Sequence, residues 1–308
     1  MNKISNKTDI PSADRAIHRL GVLGAGTMGH GIAQVAAAAG CVVVMRDIDR
    51  AAVDRGLQAI ERNLAKGIQL GKINESDRSG VLERIQATVD LADLQDCDLV
   101  IEAAPEKLAL KQDLLRETEK LVGNDCIFAT NTSSLSITEI ARAAQRPAQV
   151  VGMHFFNPVH IMRLVEIVVG EATSEKVVAT VRSLAQRMRK EPIVVRDVPG
   201  FASSRLGVTL GLEAMRMVEQ GVASARDIDT AMELGYNHPV GPLKLTDLVG
   251  LDVRLNIAEY LHEALQTETF RPPDILRRMV SEGKLGKKSG EGFYNWAEPE
   301  PAKAYSQT

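Results

Sequence analysis

The sequence predicts an α/β protein with a Rossmann-type N-terminal domain on a mostly parallel sheet, followed by an all-α C-terminal domain. Three observations carry this. Short β-branched runs alternate with longer helical patterns over about the first 200 residues, as in strands joined by crossover helices. The run Gly24-Ala25-Gly26-Thr27-Met28-Gly29 follows the first of those strands directly. The alternation stops near Asp197–Phe201, and beyond it only helical periodicity is found.

The expected strands are Arg19–Leu23, Val42–Arg46, Asp98–Ile101, Asp125–Thr130 and Val150–His154, with Leu164–Val169 also strand-like. After the second strand, Val53, Leu57, Ile60 and Leu64 recur at helical spacing. That helical segment runs through Gly71 towards Arg84, longer than a crossover requires, and is expected to project as an arm. Past the Val-Pro-Gly punctuation, a helix from about Phe201 to Gln220 should end at Gly221. Ser224 with Asp227 resembles a capping box opening a helix that stops at Gly235. Pro242 suits the first position of another helix, carrying Leu245, Leu248, Val249 and Leu255. The expected domains are 17–198, dinucleotide-binding with the helical arm, and 199–298, helical.

A chain of 308 residues is long enough for two such domains. No apolar run approaches the roughly 20 residues that span a bilayer. The first 16 residues are polar, which argues against a secretory signal and for a loose tail. The 37 basic and 40 acidic residues nearly cancel, with no long basic run, so neither a nucleic-acid nor a membrane partner is expected. Cys41, Cys97 and Cys126 lack zinc or redox spacing and read as buried, reduced thiols of a cytoplasmic protein.

The glycine run sits between a strand and a helix whose apolar face is Ile32, Val35, Ala36 and Ala39. In such a motif the first glycine makes the tight turn, the second admits a pyrophosphate to the backbone, and the third lets helix and strand pack closely. Amides at the helix N-terminus receive the phosphates. Asp47, 18 positions after Gly29, ends the second strand. Its carboxylate can accept from the adenosine ribose and would repel a 2′-phosphate, which favours NAD. The neighbouring Arg46 could offset that repulsion, and Asp47 could instead serve only as a turn or cap residue.

Ligands of open α/β sheets bind beyond the carboxyl ends of the strands. Those ends gather Asp47, Glu102, Asn131-Thr132-Ser133-Ser134 and His154. Ser136 with Glu139 fits a capping box and is read as structural. His154 is the natural proton carrier, because imidazole titrates near neutral pH. Glu166 lies in an apolar strand and needs a partner, since burying an unpaired charge is costly. A hairpin centred near His160 would set His154 opposite Glu166, orienting the ring as a base's supporting carboxylate does. His18, His30, His160, His238 and His262 show no metal-ligand spacing, so no metal is expected.

These motifs resemble the L-3-hydroxyacyl-CoA dehydrogenases, and most resemble the stand-alone bacterial 3-hydroxybutyryl-CoA dehydrogenases. The resemblance rests on Gly24–Gly29, Asn131–Ser134, His154-Phe155-Phe156-Asn157-Pro158, Glu166, Pro199-Gly200-Phe201, Asp227–Met232, His238-Pro239, Gly241-Pro242, Gly250-Leu251-Asp252 and Lys288–Tyr294. It implies NAD-dependent interconversion of (S)-3-hydroxyacyl-CoA and 3-oxoacyl-CoA with short chains, in fatty acid metabolism, by a homodimer. It implies that His154 is the general base and Glu166 its partner. Ser133 would bind the 3-oxygen, and Asn157 would hold the reacting carbonyl and the nicotinamide. Glu102, Lys107, Asn131 and Ser133 would contact the cofactor, together with Gly24, Ala25, Gly26, Thr27, Met28, Gly29 and Asp47. The arm would cover the CoA, with Lys66 near a phosphate. One position departs from the family: Ser204 stands where an Asn usually helps bind substrate, and a hydroxyl is shorter with fewer hydrogen-bonding groups. Three other readings remain at this stage. Two keep the chemistry but act on 3-hydroxyadipyl-CoA, with Arg163 or Arg205 as the extra cation, or on a CoA-free hydroxy acid. The third is an NAD-binding structural or regulatory protein. The small pair Gly207 and Gly211 suits close helix packing, within one chain or between two.

Overall fold

The computed structural model describes residues 16–297. The expected N-terminal tail up to residue 15, and residue 298, lie outside them. The chain divides into two compact units between Phe201 and Ala202.

The first unit is built on one eight-stranded sheet: β1 (Arg19–Leu23), β2 (Val42–Arg46), β3 (Ile85–Thr88), β4 (Leu99–Glu102), β5 (Ile127–Thr130), β6 (Val150–Phe155), β7 (Leu164–Val169) and β8 (Glu191–Arg196). The strand order is β3-β2-β1-β4-β5-β6-β7-β8, parallel throughout except for the antiparallel β6–β7 pair. Both faces are covered, so the central strands read as unbroken apolar runs. Alternate residues serve opposite cores: Leu20, Val22, Val43, Met45, Leu99 and Ile101 pack on one side, and Leu23, Val44, Val100 and Phe128 on the other. Ile101 is completely buried. An Ile101→Ala variant should lose about 2–5 kcal/mol of stability, read by chemical denaturation.

Crossovers are supplied by α1 (Gly29–Ala38), α2 (Arg50–Gln69), α3 (Glu75–Glu83), α4 (Leu108–Glu119), α5 (Ile137–Ala141) and α6 (Glu175–Arg187). The expected continuous arm is corrected here to two helices. Asn74 and Asp77 form a capping box that opens α3, and Gly71 takes φ +66 in the turn after α2. The pair does not stand clear of the unit: Leu64 and Val81 are buried in the same core as Ala33 and Ala36 of α1. Two strands escaped the sequence pattern because they are edges. β3 has four residues, none fully buried. β8 is largely exposed and contains Pro192, as edges tolerate. Asp98, expected to open β4, instead accepts the amides of His18 and Arg19 at 2.8 and 2.9 Å.

The second unit is helical: α7 (Ser203–Glu219), α8 (Ala225–Gly235), α9 (Pro242–Val249), α10 (Leu251–Leu265) and α11 (Asp274–Ser281). Val208, Leu212, Met215, Ile228, Leu243, Leu251, Ala258, Leu261 and Leu276 form its core. The apolar face expected for α9 is corrected. Gly250 at φ +106 breaks the helix before Leu255, and Leu245, Leu248 and Val249 are exposed while Leu243, Thr246 and Asp247 point inward. Asp247 accepts the amides of Phe293 and Tyr294 and the Trp296 indole N–H. Burial pushes its pKa up, and these donors pull it back only in part. Asp247→Ala strands three half-buried donors. It should lower stability by about 1–3 kcal/mol for each one left unsatisfied, with a lower melting temperature as the readout.

Candidate active site

The turn after β1 is shaped by its glycines. Gly24 takes φ +101, and its amide donates to the Arg46 carbonyl at 2.8 Å. A Cβ on Gly24 would lie 2.8 Å from the Ala103 carbonyl oxygen, and one on Gly29 would overlap the carbonyl of Gly24. A Cβ on Gly26 would meet no protein atom within 4 Å. The protein thus leaves open the space beside the second glycine, where a pyrophosphate comes against the backbone. The N-cap of α1, Met28, gives no side-chain cap, so no side chain competes for that helix terminus. The residues fit a dinucleotide. Asp47 Oδ2 accepts the Ala25 amide at 2.7 Å and Oδ1 the Ile48 amide at 2.7 Å, so Asp47 also fixes the glycine turn. Arg46 Nε donates to the Val89 carbonyl at 3.2 Å, which ties the guanidinium to the β3 side.

At the sheet's carboxyl edge the two residues expected to touch the cofactor, Glu102 and Lys107, stand in different settings. Glu102 is fully buried. Its carboxylate takes both Lys111 (2.8 and 3.0 Å) and the Thr130 hydroxyl (2.7 Å), along with the Ala104 amide. Lys107 is an exposed N-cap of α4. The residue that reaches the Asn131–Ser134 run is Glu106, four positions after Glu102. Its Oε1 accepts the Thr132 hydroxyl at 2.6 Å, the Ser133 amide at 2.9 Å and the Ser134 amide at 3.2 Å. The Ser133 hydroxyl donates to the same oxygen at 3.3 Å. Lys111 bridges the two carboxylates, lying 3.3 Å from Glu106. Burial pushes the Glu106 carboxyl up, but the Lys111 charge and the Thr132 and Ser133 donors outweigh it and hold the group low. The signal was available in the sequence: Lys111 occupies a buried face of α4 with Leu115 and Thr118, where a lysine needs an acid.

A depressed folded pKa means that Glu106 adds stability above its unfolded value, about 4.3, and loses it as pH falls through the folded value. Glu106→Gln should therefore melt below wild type at pH 7, with the gap narrowing as pH falls through the folded value.

The β6–β7 register sets His154 opposite Glu166. Nδ1 lies 2.7 Å from Glu166 Oε2, with the carboxylate fully buried and the imidazole 9% exposed. Because a carboxylate accepts, the neutral ring carries its proton on Nδ1 and leaves the Nε2 lone pair for another group. Phe156 and Phe201 pack beside the ring at 4.5 and 5.9 Å between centroids. Asn131 Oδ1 accepts the Phe155 amide at 2.8 Å, which locks the end of β5 to that of β6. Asn157 is exposed just past β6.

Lys190 was not anticipated. Its buried ammonium donates to the carbonyls of Val159 and Met162, and it clasps the connection that carries Asn157. The same connection rests on α1, since a Cβ on Gly31 would lie 2.8 Å from the Val159 Cβ. A groove of about 1000 Å³ opens here, bordered by Lys72, Arg84, His160, Arg163, Arg189 and Lys190. Burial and the charges of His30, Lys190 and Lys66 push the His160 pKa down, so several cations converge. Lys66 is exposed in the last turn of α2. Arg163 and Arg205 are exposed. Ser204, half-buried, belongs to the first turn of α7 in the second unit.

Comparison with known proteins agrees with this geometry. The family description "3-hydroxyacyl-CoA dehydrogenase, NAD binding domain" matches residues 19–198, and "3-hydroxyacyl-CoA dehydrogenase, C-terminal domain" matches residues 200–296. A probable 3-hydroxybutyryl-CoA dehydrogenase of Deinococcus radiodurans is 46% identical over 90% of this chain and 100% of its own. The mitochondrial hydroxyacyl-coenzyme A dehydrogenase of Sus scrofa is 40% identical over 95% of this chain and 96% of its own. The solved structure of (S)-3-hydroxybutyryl-CoA dehydrogenase from Ralstonia eutropha superposes with a TM-score of 0.89 at 42% identity, covering 92% of this chain and 100% of that one. With both halves of the sequence matched in order, the chain belongs to the 3-hydroxyacyl-CoA dehydrogenase family and is an NAD-dependent enzyme.

Proposed function

We propose that this enzyme interconverts (S)-3-hydroxybutyryl-CoA and acetoacetyl-CoA, with His154 as the base and Glu166 as its partner. The observation that carries the reading is the 2.7 Å His154–Glu166 pair at the edge where the sheet also presents the Ser133 run. Bound NAD supplies the hydride acceptor in oxidation and, reduced, the hydride donor. His154 Nε2 takes the 3-hydroxyl proton in oxidation and returns it in reduction. Glu166 holds the ring on Nδ1 and stabilises the imidazolium that forms. The Ser133 hydroxyl turns from Glu106 to the substrate's 3-oxygen, and the Asn157 carboxamide holds the reacting carbonyl and the nicotinamide. The Gly24–Gly29 turn receives the pyrophosphate and Asp47 the ribose hydroxyls. Asn131 and Glu106 set the floor beneath the nicotinamide.

The cations around the groove support a CoA thioester over a free hydroxy acid, with Lys66 reaching a phosphate. The short chain is supported by the names of the bacterial relatives. The protein works in the cytoplasm, a reading supported by three buried thiols at Cys41, Cys97 and Cys126. Among the described residues no helix is long and apolar enough to cross a membrane. It works as a homodimer, supported by exposed Leu206, Leu234 and Tyr236 on the second unit. Sedimentation returning single chains at micromolar concentration would rule the dimer out. The chain-length reading is tested by kcat/KM for 3-oxoacyl-CoA thioesters of four to twelve carbons. The four-carbon substrate should lead the series, and a maximum at eight carbons or more would overturn the assignment.

A further inference from the structure

Between β6 and β7 the chain leaves the sheet over residues 156–163, and this connection carries Asn157. Asn157 is exposed, so its place is set by its backbone rather than by packing of its side chain. Three contacts within the first unit hold that backbone. The amides of Ile161 and Met162 both donate to the Pro158 carbonyl, at 3.0 and 2.9 Å, and close a single turn. The Glu191 amide, at the start of β8, donates to the Arg163 carbonyl at 2.7 Å. Val159 is buried against α1 just beyond the glycine turn, where a Cβ on Gly31 would lie 2.8 Å from the Val159 Cβ.

Lys190 adds a fourth. Just before it, Arg189 takes φ +58, a left-handed residue that ends α6 and turns the chain into β8. The Lys190 ammonium donates to the Val159 carbonyl and, at 2.7 Å, to the Met162 carbonyl. The residue is only 7% exposed, and burial pushes its pKa down. A buried cation is costly, and neutral carbonyls offset that cost less than a carboxylate does. Leucine or methionine would fill the space without that penalty but would leave two carbonyls with no donor. What the ammonium secures is the shape of one turn, the turn that presents Asn157.

We propose that Lys190 is a positioning residue for the reaction: by holding the Val159 and Met162 carbonyls, it sets the Asn157 carboxamide in register with His154. The proposal rests on the reading of Asn157 as the residue that holds the reacting carbonyl. Lys190 touches neither substrate nor coenzyme and acts through the backbone alone. His154 is fixed from β7 by Glu166, so the end of β6 is anchored while the turn beyond it depends on Lys190. Val159 links the same turn to α1, because its carbonyl meets Lys190 and its side chain meets Gly31. The turn is thereby set against both the strand of the base and the helix that receives the coenzyme phosphates. Such register matters, since misplacing a group by about 1 Å can cost about a hundredfold in rate.

The test measures kcat and KM for acetoacetyl-CoA, NADH affinity and melting temperature in full-length wild type, Lys190→Met, Asn157→Ala and the double variant. Lys190→Met should lower kcat about tenfold to a hundredfold, with NADH affinity near wild type because the glycine turn and Asp47 are untouched. In the Asn157→Ala background the same exchange should change kcat by less than about twofold, because the group it positions is already gone. Effects that multiply across the two positions would show that Lys190 does not act through Asn157 and would overturn the proposal. A lower melting temperature with unchanged kcat would do the same, making Lys190 structural. So would a raised KM with unchanged kcat, which would make it an anion-binding cation of the groove. If Lys190→Met does not fold, Gly31→Ala moves the same turn from the α1 side, and its cycle with Asn157→Ala decides by the same criteria. Wild type inert towards acetoacetyl-CoA would overturn the acyl-CoA reading itself. Active wild type with an unimpaired Asn157→Ala would overturn the role of Asn157, and that of Lys190 with it.

Discussion

His154→Ala lowers kcat for acetoacetyl-CoA reduction by about two to four orders of magnitude, the usual contribution of a positioned general acid or base. NADH affinity stays within about twofold, because the imidazole takes no part in the glycine turn. Glu166→Gln should cost less, about tenfold to a thousandfold. The glutamine amide keeps the volume and a hydrogen bond but no longer enforces the Nδ1–H tautomer or stabilises the imidazolium. The fully buried Glu166 lies 2.7 Å from Nδ1, so the exchange acts on the ring rather than on solvent. Steady-state kinetics alongside NADH fluorescence titration reads both variants. Turnover near wild type in folded His154→Ala would remove the histidine from the chemistry.

The second large effect separates two glycines of one turn. Gly26→Val places its side chain in space that no protein atom fills within 4 Å. The folded chain should keep its melting temperature while NADH affinity falls about tenfold to a thousandfold, or about 1.4–4 kcal/mol. Gly29→Val forces a collision with the Gly24 carbonyl, so it should lose stability as well as coenzyme affinity. Thermal melts with and without NADH distinguish the two. Equal destabilisation by both would mean that the open space at Gly26 is structural and that no pyrophosphate sits there.

How far the sequence foretells the site depends on the range of the interactions. The glycine turn, Asp47 and the His154–Glu166 pairing are legible because they follow from strand ends and a hairpin register, both local and periodic. The two edge strands are not, because β3 and β8 have no buried face to impose alternation. The arm breaks at Gly71, where apolar spacing alone gives no stop. The hydrogen-bond partners of Glu102 and Glu106 are not legible in the sequence either. Glu102 sits at the strand end, where exposure is expected, yet Lys111 from α4 draws it inward and leaves Glu106 to take the serine amides. Lys190 escapes notice for the same reason. It is a cation whose meaning depends on the two carbonyls that a distant segment presents to it.

The central claim is a hydride exchange between NAD(H) and a short 3-oxoacyl thioester. NADH oxidation monitored with acetoacetyl-CoA, with free acetoacetate and NADPH in parallel cuvettes, tests it most directly. The account predicts rapid turnover of acetoacetyl-CoA with NADH, little with NADPH and none with free acetoacetate. Tight NADH binding without turnover of acetoacetyl-CoA would contradict it, leaving a dinucleotide-binding fold whose His154–Glu166 pair serves another substrate or none.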